Sequence, residues 1–412
     1  MNKKDFTFNR EKVLDLMEDN SILIEFNREV STEDDIFKQT YNENRNFYYA
    51  TGVLEFDDIL VLVKYKSKKN SIMYINPYDE FKAKWVGAPL PPEEIERISG
   101  IDDVRYKEEF EDDLMSFFDT FETVYLDLAD TKMDGYLSKD EKFAKDIKEK
   151  KPWLNIKNGR LLFQHARTIK SDAEIAEMRR AIHITKLGLE AVMSNMRPQY
   201  EYQFESYFDQ AVKFNGATGY AFPTIAASGV NSCCLHYMEN KDKAENGDLI
   251  LFDLGASLNM YCSDISRTFP VSGKFTKRQK EIYNIVLKGQ QLIFDNAKPG
   301  ITTRELNKIL VKYYAKELRR IGLIKSDEEV GDFYWHGCSH HIGLDCHDLC
   351  DYTPLKAGSI ISNEPGLYIE SEKIGIRIED DILITENGAE WLSKEIIKDP
   401  DEIEKFIEEH RK

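Results

Sequence analysis

The N-terminal part of the chain alternates between two spacings of apolar residues. Ile22–Phe26, Asp58–Tyr65, Ser71–Ile75 and Val124–Leu128 are short, β-branched and apolar runs. Such runs suit buried strands of a mixed sheet. Asn9–Glu18 and Pro91–Ser99, which lie between strand runs, carry helical spacing. The pattern changes near Asp130. From there to Gly159 the chain is rich in lysine and turn residues, as expected of a domain connection that includes one exposed helix.

The second half opens each long helix with a capping box, in which a Ser or Thr and an acid or amide three residues on satisfy each other's free backbone N–H. Ser171 with Glu174 starts a helix that should end before Pro198. Thr276 with Gln279 starts another, stopped near Ala297 by Pro299-Gly300, and Thr302 with Glu305 starts a third. Strand candidates lie between and after them: AASGV, GDLILFDLGA, ISRTFPV, SIISNEPGLYI and IGIRIEDDILIT. The pattern predicts an α/β (α+β) chain with an N-terminal mixed-sheet domain and linker over 1–159 and a second domain over 160–412.

At roughly 150 residues per domain, the 412 residues suit two to three domains. Hydrophobic residues at 42% and aromatics at 12% suffice for a core in each. Lys and Arg number 56 against 74 Asp and Glu, for a net charge of −18. That field repels phosphate backbones and anionic lipid, so neither nucleic acid nor membrane is an expected partner. No run approaches the roughly 18 apolar residues of a membrane helix, and MNKKDFTFNREK lacks a signal peptide's apolar stretch. A cytoplasmic location is expected. The cysteines, Cys233, Cys234, Cys262, Cys338, Cys346 and Cys350, are confined to the second half and do not form a disulfide framework.

Two segments imitate metal sites. Asp130, Asp134, Gly135 and Glu141 match positions of a calcium-binding loop, but Lys132 puts a cation where an oxygen ligand belongs. A solvated turn is the better reading. Cys338–Cys350 is rich in Cys and His, but its irregular spacing lacks CxxC. There, cysteines as small apolar packing residues are favoured. GxGxxG, GxxxxGK[ST], HExxH and GxSxG are all absent.

The stronger signal combines acids in apolar strands with a histidine cluster. His336, His340, His341 and His347 fall within HGCSHHIGLDCH. Asp253 lies inside LILFDLGA, Asp264 on what should be the returning strand of a hairpin, Glu364 at the end of an apolar strand beside a proline, and Glu379 in the middle of another strand. A buried, unpaired carboxylate costs several kcal/mol, so each needs a cation or a proton. Arg267 and Arg377 could supply ion pairs for two of them. Four carboxylates with one imidazole also suit a pair of divalent ions, manganese above all.

In order and context these residues resemble the aminopeptidase P/prolidase group of pita-bread metallopeptidases. DLGA, SDISRTF, HGCSHHIGLDCHD, NEPGLYI and IRIEDD carry the likeness in the second domain. RNFYYATG and Trp85 are landmarks in the first. The resemblance implies an aminopeptidase P-type N-terminal domain and a pita-bread catalytic domain. Asp253 would bind one metal ion, His340 and Glu364 the other, and Asp264 and Glu379 would bridge them. Mn2+ is the expected ion, with Zn2+ or Co2+ as alternatives. Glu364 would also shuttle a proton. His236 and His347 would stand on the substrate side as catalytic groups, and His336 would line the pocket for the residue after the cut. Arg377 would support the substrate site from behind the ligands. Trp85 would reach the substrate of a neighbouring subunit in a homodimer or homotetramer. His341 receives no role.

The implied activity is that of an Xaa-Pro aminopeptidase acting on peptides with proline second. A prolidase restricted to Xaa-Pro dipeptides is the alternative, because both would use the same metal site. Ser339 and HYMEN lean toward the aminopeptidase. A metal-free binding module on the same fold is a further alternative, disfavoured because all five ligands are present.

Overall fold

The computed structural model describes residues 1–27, 44–128 and 137–411. The chain forms two compact units, Met1–Ala166 and Arg167–Lys412. The change of unit falls inside the helix Arg160–Thr168, beyond the division expected after Gly159. Packing explains the difference. Phe163 meets Tyr49 edge-on with ring centroids 6.4 Å apart, and the Tyr49 hydroxyl donates to the Ala166 carbonyl at 3.1 Å. The start of this helix thus belongs to the first unit.

The first unit is built on β1 (Ser21–Phe26), β2 (Ile59–Tyr65), β3 (Lys68–Ile75), β4 (Asp103–Tyr106), β5 (Thr123–Leu126) and β6 (Asn155–Asn158). Their order is β4-β3-β2-β1-β5-β6. The β1–β2 and β2–β3 pairings are antiparallel, whereas β1–β5, β3–β4 and β5–β6 are parallel, so the sheet is mixed. Ile22, Ile24 and Phe26 of β1 pack with Phe110, Leu114 and Phe118 of the helix Phe110–Thr120. β3 begins earlier than expected because Lys66 and Ser67 turn with φ of 49° and 63°. That is a two-residue hairpin turn without the usual Asn or Gly signal. The first helix runs Lys3–Leu16, starting before Asn9, because Asn2 and Asp5 form a capping box. The exposed linker helix is Lys139–Lys150, capped by Ser138 and Glu141. Within the calcium-loop imitation, 130–136 lies outside the described residues, and Glu141 accepts the Ser138 N–H at 2.7 Å.

The second unit carries β7 (Gln199–Tyr200), β8 (Gly219–Tyr220), β9 (Ile225–Ser228), β10 (Lys243–Ala244), β11 (Leu249–Leu254), β12 (Ala256–Leu258) and β13 (Tyr261–Cys262). β14 (Ile265–Pro270), β15 (Ile360–Asn363), β16 (Gly366–Ile369), β17 (Ile374–Arg377), β18 (Asp380–Thr385) and β19 (Gly388–Trp391) follow. The three predicted capping boxes all form, opening the helices Asp172–Met193, Lys277–Asn296 and Thr303–Arg320. β14-β11-β9 and β15-β18-β19 are antiparallel sheets, and β16–β17 is a separate hairpin.

Two strands expected to be continuous are broken, and the breaks face each other. SIISNEPGLYI splits at Glu364-Pro365 into β15 and β16, because proline cannot donate to a ladder. IGIRIEDDILIT splits at Ile378-Glu379 into β17 and β18. The Ile378 N–H donates to the Pro365 carbonyl across the gap at 3.2 Å. Glu379 is therefore at a break, not in mid-strand. Asp264 sits just before β14, the strand that returns along β11 and pairs Asp253 with Ser266. Gly255 makes this approach possible, because a Cβ there would lie 1.9 Å from the Ser263 carbonyl oxygen.

Candidate metal centre

The β11 end, the start of β14, the His-rich segment and the two facing breaks bring Asp253, Asp264, His340, Glu364 and Glu379 into one cluster, with Asp264 and Glu379 buried and the other three partly exposed. His340 Nε2 lies 3.4 Å from Asp264 Oδ2, 3.6 Å from Glu364 Oε1 and 4.0 Å from Glu379 Oε1. Donor atoms of Asp264, His340 and Glu379 all lie within 4.8 Å of one another, close enough to share an ion. Asp253 joins through the electrostatics. Its charge acts on Asp264's neighbours Glu364 and Glu379.

The cluster is short of positive charge. Burial pushes Glu364 up to about 7 and Asp253 up to about 6. Burial, then the charges of Asp264, Glu364 and Asp253, push Glu379 well above the carboxylate range. Burial lowers His340, but the bond to Asp264 and the charge of Glu364 outweigh it and raise the ring to about 9. Asp253 Oδ1 is buried without a hydrogen-bond partner. These are marks of acids arranged for a cation other than a side chain.

The imidazole is prepared for the same purpose. His340 Nδ1 lies 3.1 Å from the His341 carbonyl, where it can only donate. That bond turns Nε2 toward the carboxylates, where a metal ion would take the place of its proton, the arrangement of a metal-bound histidine. The surroundings hold the acids as well. Ser266 donates to Glu379 Oε2 at 2.7 Å and accepts from Arg377 Nε at 2.8 Å. Ser362 accepts the His340 N–H at 2.9 Å and donates to Glu364 Oε1 at 3.3 Å. The residues present therefore fit a divalent metal, with hard oxygen donors and one nitrogen.

The substrate-side candidates differ in placement. His347 is exposed and stacks on His340, centroids 4.0 Å apart and planes at 18°. His236 is exposed and acts electrostatically on both His336 and His347. His336 Nδ1 lies 3.7 Å from Glu364 Oε2, and its Nε2 lies 2.9 Å from the Tyr368 hydroxyl. Burial lowers its pKa to about 4, so the ring is neutral at working pH. Arg377 is buried, and its guanidinium donates to Asp253 Oδ2 at 2.5 Å, to Ser266 and to Tyr368 at 3.2 Å. It stands behind Asp253. Trp85 belongs to the first unit, on the short helix Glu80–Val86, and is 70% exposed, which excludes an ordinary core anchor.

Arg267 answers a different acid than expected. It pairs with Asp380, not with a cluster carboxylate. Three further residues escaped the sequence reading. Tyr368 links His336 to Arg377. Asp381 accepts the Asp264 backbone N–H at 3.2 Å. The Cys346 thiol donates to Asp264 Oδ2 at 2.9 Å, so this cysteine is more than apolar filling. Only the acids of IEDDIL carried a signal beforehand.

The family model described as "Metallopeptidase family M24" matches residues 176–386, and that described as "Aminopeptidase P, N-terminal domain" matches residues 6–125. The chain belongs to metallopeptidase family M24, with a pita-bread catalytic unit. It is 32% identical to the Xaa-Pro aminopeptidase of Escherichia coli (strain K12), over 100% of this chain and 99% of that protein. A solved structure of a candidate aminopeptidase P from Bacillus anthracis superposes with a TM-score of 0.96 at 40% identity, covering 100% of this chain and 99% of that one. Zinc-substituted E. coli aminopeptidase P in complex with product superposes at 0.89 with 30% identity, again over 100% and 99%.

Proposed function

We infer that the chain is an Xaa-Pro aminopeptidase, a hydrolase that removes an N-terminal residue standing before proline. The observation that carries this reading is the clustered set Asp253, Asp264, His340, Glu364 and Glu379 in a chain alike over its full length to enzymes of that name.

These five residues would hold two divalent ions, with Mn2+ the best match to a mostly carboxylate donor set. When bound, the ions supply Lewis-acid polarisation of the scissile carbonyl and lower the pKa of water toward neutrality. The chain's own groups supply the rest. Glu364 would take a proton on a carboxylate oxygen and pass it on. The acceptor is the proline nitrogen, which carries no hydrogen before cleavage. His347 and His236, on the exposed side of the cluster, would donate to the oxygen that gains charge. His336 would line the wall beside the proline, oriented by Tyr368. Arg377 keeps Asp253 in place.

Two further assignments belong to this reading. The described cysteines are free, which supports a reducing, cytoplasmic setting. Among the described residues, no helix is long and apolar enough to cross a membrane. Trp85 would contact peptide in a neighbouring subunit of a homodimer or homotetramer. Support comes from the exposed aromatic group of Tyr78, Phe81 and Trp85, 66%, 64% and 70% exposed.

The test is turnover of Xaa-Pro against Xaa-Pro-Yaa with manganese supplied. Cleavage of the tripeptide is expected. Cleavage of the dipeptide alone would mean a prolidase. No cleavage, with no metal retained, would mean a binding module.

A further inference from the structure

A cavity of about 510 Å³ opens wholly within the second unit, linked to the metal centre through Tyr368 and His336. Its nearest wall is Tyr368, whose hydroxyl contacts His336, itself 3.7 Å from Glu364. The cavity therefore begins just beyond the residue assigned to the proline side of the cut. Trp335, 49% exposed, faces Tyr368 with ring centroids 5.0 Å apart, and Phe333 adds apolar wall. Asp332 and Glu370 bring two exposed carboxylates to the same cavity. Neither has an ion pair among the described residues, and no Lys or Arg lines the cavity.

We propose that this cavity receives the residue after proline and selects lysine or arginine there. The inference rests on the aminopeptidase reading. A long basic side chain can lay its methylenes on Trp335 and Phe333 and place its cation by Asp332 and Glu370. An acidic side chain meets two like charges. A small one leaves the aromatic wall uncovered.

Amidated peptides Ala-Pro-Lys-NH2, Ala-Pro-Ala-NH2 and Ala-Pro-Glu-NH2 test this without a terminal carboxylate to confuse the charges. At low salt, kcat/KM for the Lys peptide should exceed that for the Glu peptide by about tenfold, the scale of one or two exposed ion pairs. The ratio should shrink to about threefold or less in 0.5 M NaCl. In the double variant Asp332→Asn, Glu370→Gln it should approach one, with the Ala peptide as the internal standard. A wild-type ratio near one, or a ratio kept by the double variant, overturns the proposal. Should no Xaa-Pro peptide be cleaved, the aminopeptidase reading falls, and a second measurement still decides about the cavity. Cys234, an exposed thiol of its wall, should be shielded from iodoacetamide by Pro-Lys-NH2 at about tenfold lower concentration than by Pro-Glu-NH2. Equal shielding overturns the proposal.

Discussion

Glu379 and Asp380 are neighbours in the chain and live in opposite electrostatic surroundings. Asp380 is 1% exposed and pairs with Arg267 at 2.7 Å and Lys398 at 2.8 Å. Gln290 and Ser393 donate to it as well. Its pKa lies below the carboxylate range: burial would raise it, but the charges of Arg267 and Lys398 outweigh burial. Glu379 is equally buried, has Arg377 no nearer than 3.9 Å, and is pushed well above that range. One acid is neutralised by the fold. The other, with Asp264, Glu364 and the unpartnered Oδ1 of Asp253, is left for something the fold does not contain. A buried carboxylate thus announces function only when its cation is missing.

Breaking each side of this comparison should have a different consequence. The largest effect is expected for Glu379→Gln, which should lose on the order of 1000-fold or more in turnover, with reduced metal content by elemental analysis. Its metal-free melting temperature should hold or rise, because a repelled acid is removed. Full activity with unchanged metal would sink the site assignment. Arg267→Met should do the reverse. It takes from Asp380 its buried guanidinium, leaving Lys398 as the remaining cation, and also removes donors to the Glu379, Ile396 and Ile397 carbonyls, for a loss of about 3–5 kcal/mol in denaturant titration. A loss below about 1 kcal/mol would show that the pair is no anchor.

His347→Ala should fold and keep its metal but lose on the order of 100- to 1000-fold in rate. Loss of metal in that variant would make His347 a ligand rather than a catalytic group.

The two acid groups should also respond to pH with opposite signs. Asp380 has a depressed folded-state pKa, so its contribution is present above the ordinary carboxylate range and fades as pH falls. Asp253 and Glu364, raised to about 6 and about 7, hold protons in the folded chain that the unfolded chain has released. Their contribution is full below the ordinary carboxylate range and is lost as pH rises to those values. His340, raised to about 9, adds a contribution that fades from its ordinary value upward. Metal-stripped protein should therefore melt lower at pH 8 than at pH 5.5, and metal-loaded protein should show the smaller difference. Scanning calorimetry with and without chelator reads this directly. A stripped protein that gains stability over this interval would contradict the described cluster.

The smallest effect is expected for Trp85→Ala. On the aminopeptidase reading it should weaken tripeptides a few-fold more than dipeptides while barely moving the melting temperature, because the indole covers no core of its own unit. Equal losses on all substrates would end the assignment of Trp85 to the peptide beyond the proline. Normal activity in a strictly monomeric protein, judged by sedimentation, would end the cross-subunit assignment.

The fold was legible where local chemistry sets structure. Ser171–Glu174, Thr276–Gln279 and Thr302–Glu305 marked helix starts because a capping box needs only neighbours in sequence. The Asn2–Asp5 box was equally local but went unread. The acids of the site stood out because an apolar run with one carboxylate is costly at any depth. Sequence could not say which acid meets which cation. Arg267 reaches Asp380 across 113 positions of chain, and no spacing rule encodes that distance. Nor could it show the breaks at Pro365 and Glu379, since they depend on two strands changing partner together.

Those facing breaks make the phase of one strand pair decisive for the whole molecule. Gly366↔Arg377 on one side and Asn363↔Asp380 on the other pin both strands across the gap. Slippage by a single residue would carry Asp380 into the place of Glu379 and Asp381 into the place of Asp380, taking the Arg267 nest's own acid into the metal cluster and setting another acid in the nest. Deleting Ile378 would impose such a slip while leaving every charged residue in the chain. Nascent protein that zips these strands one step out of phase would be complete in composition and unable to hold its ions.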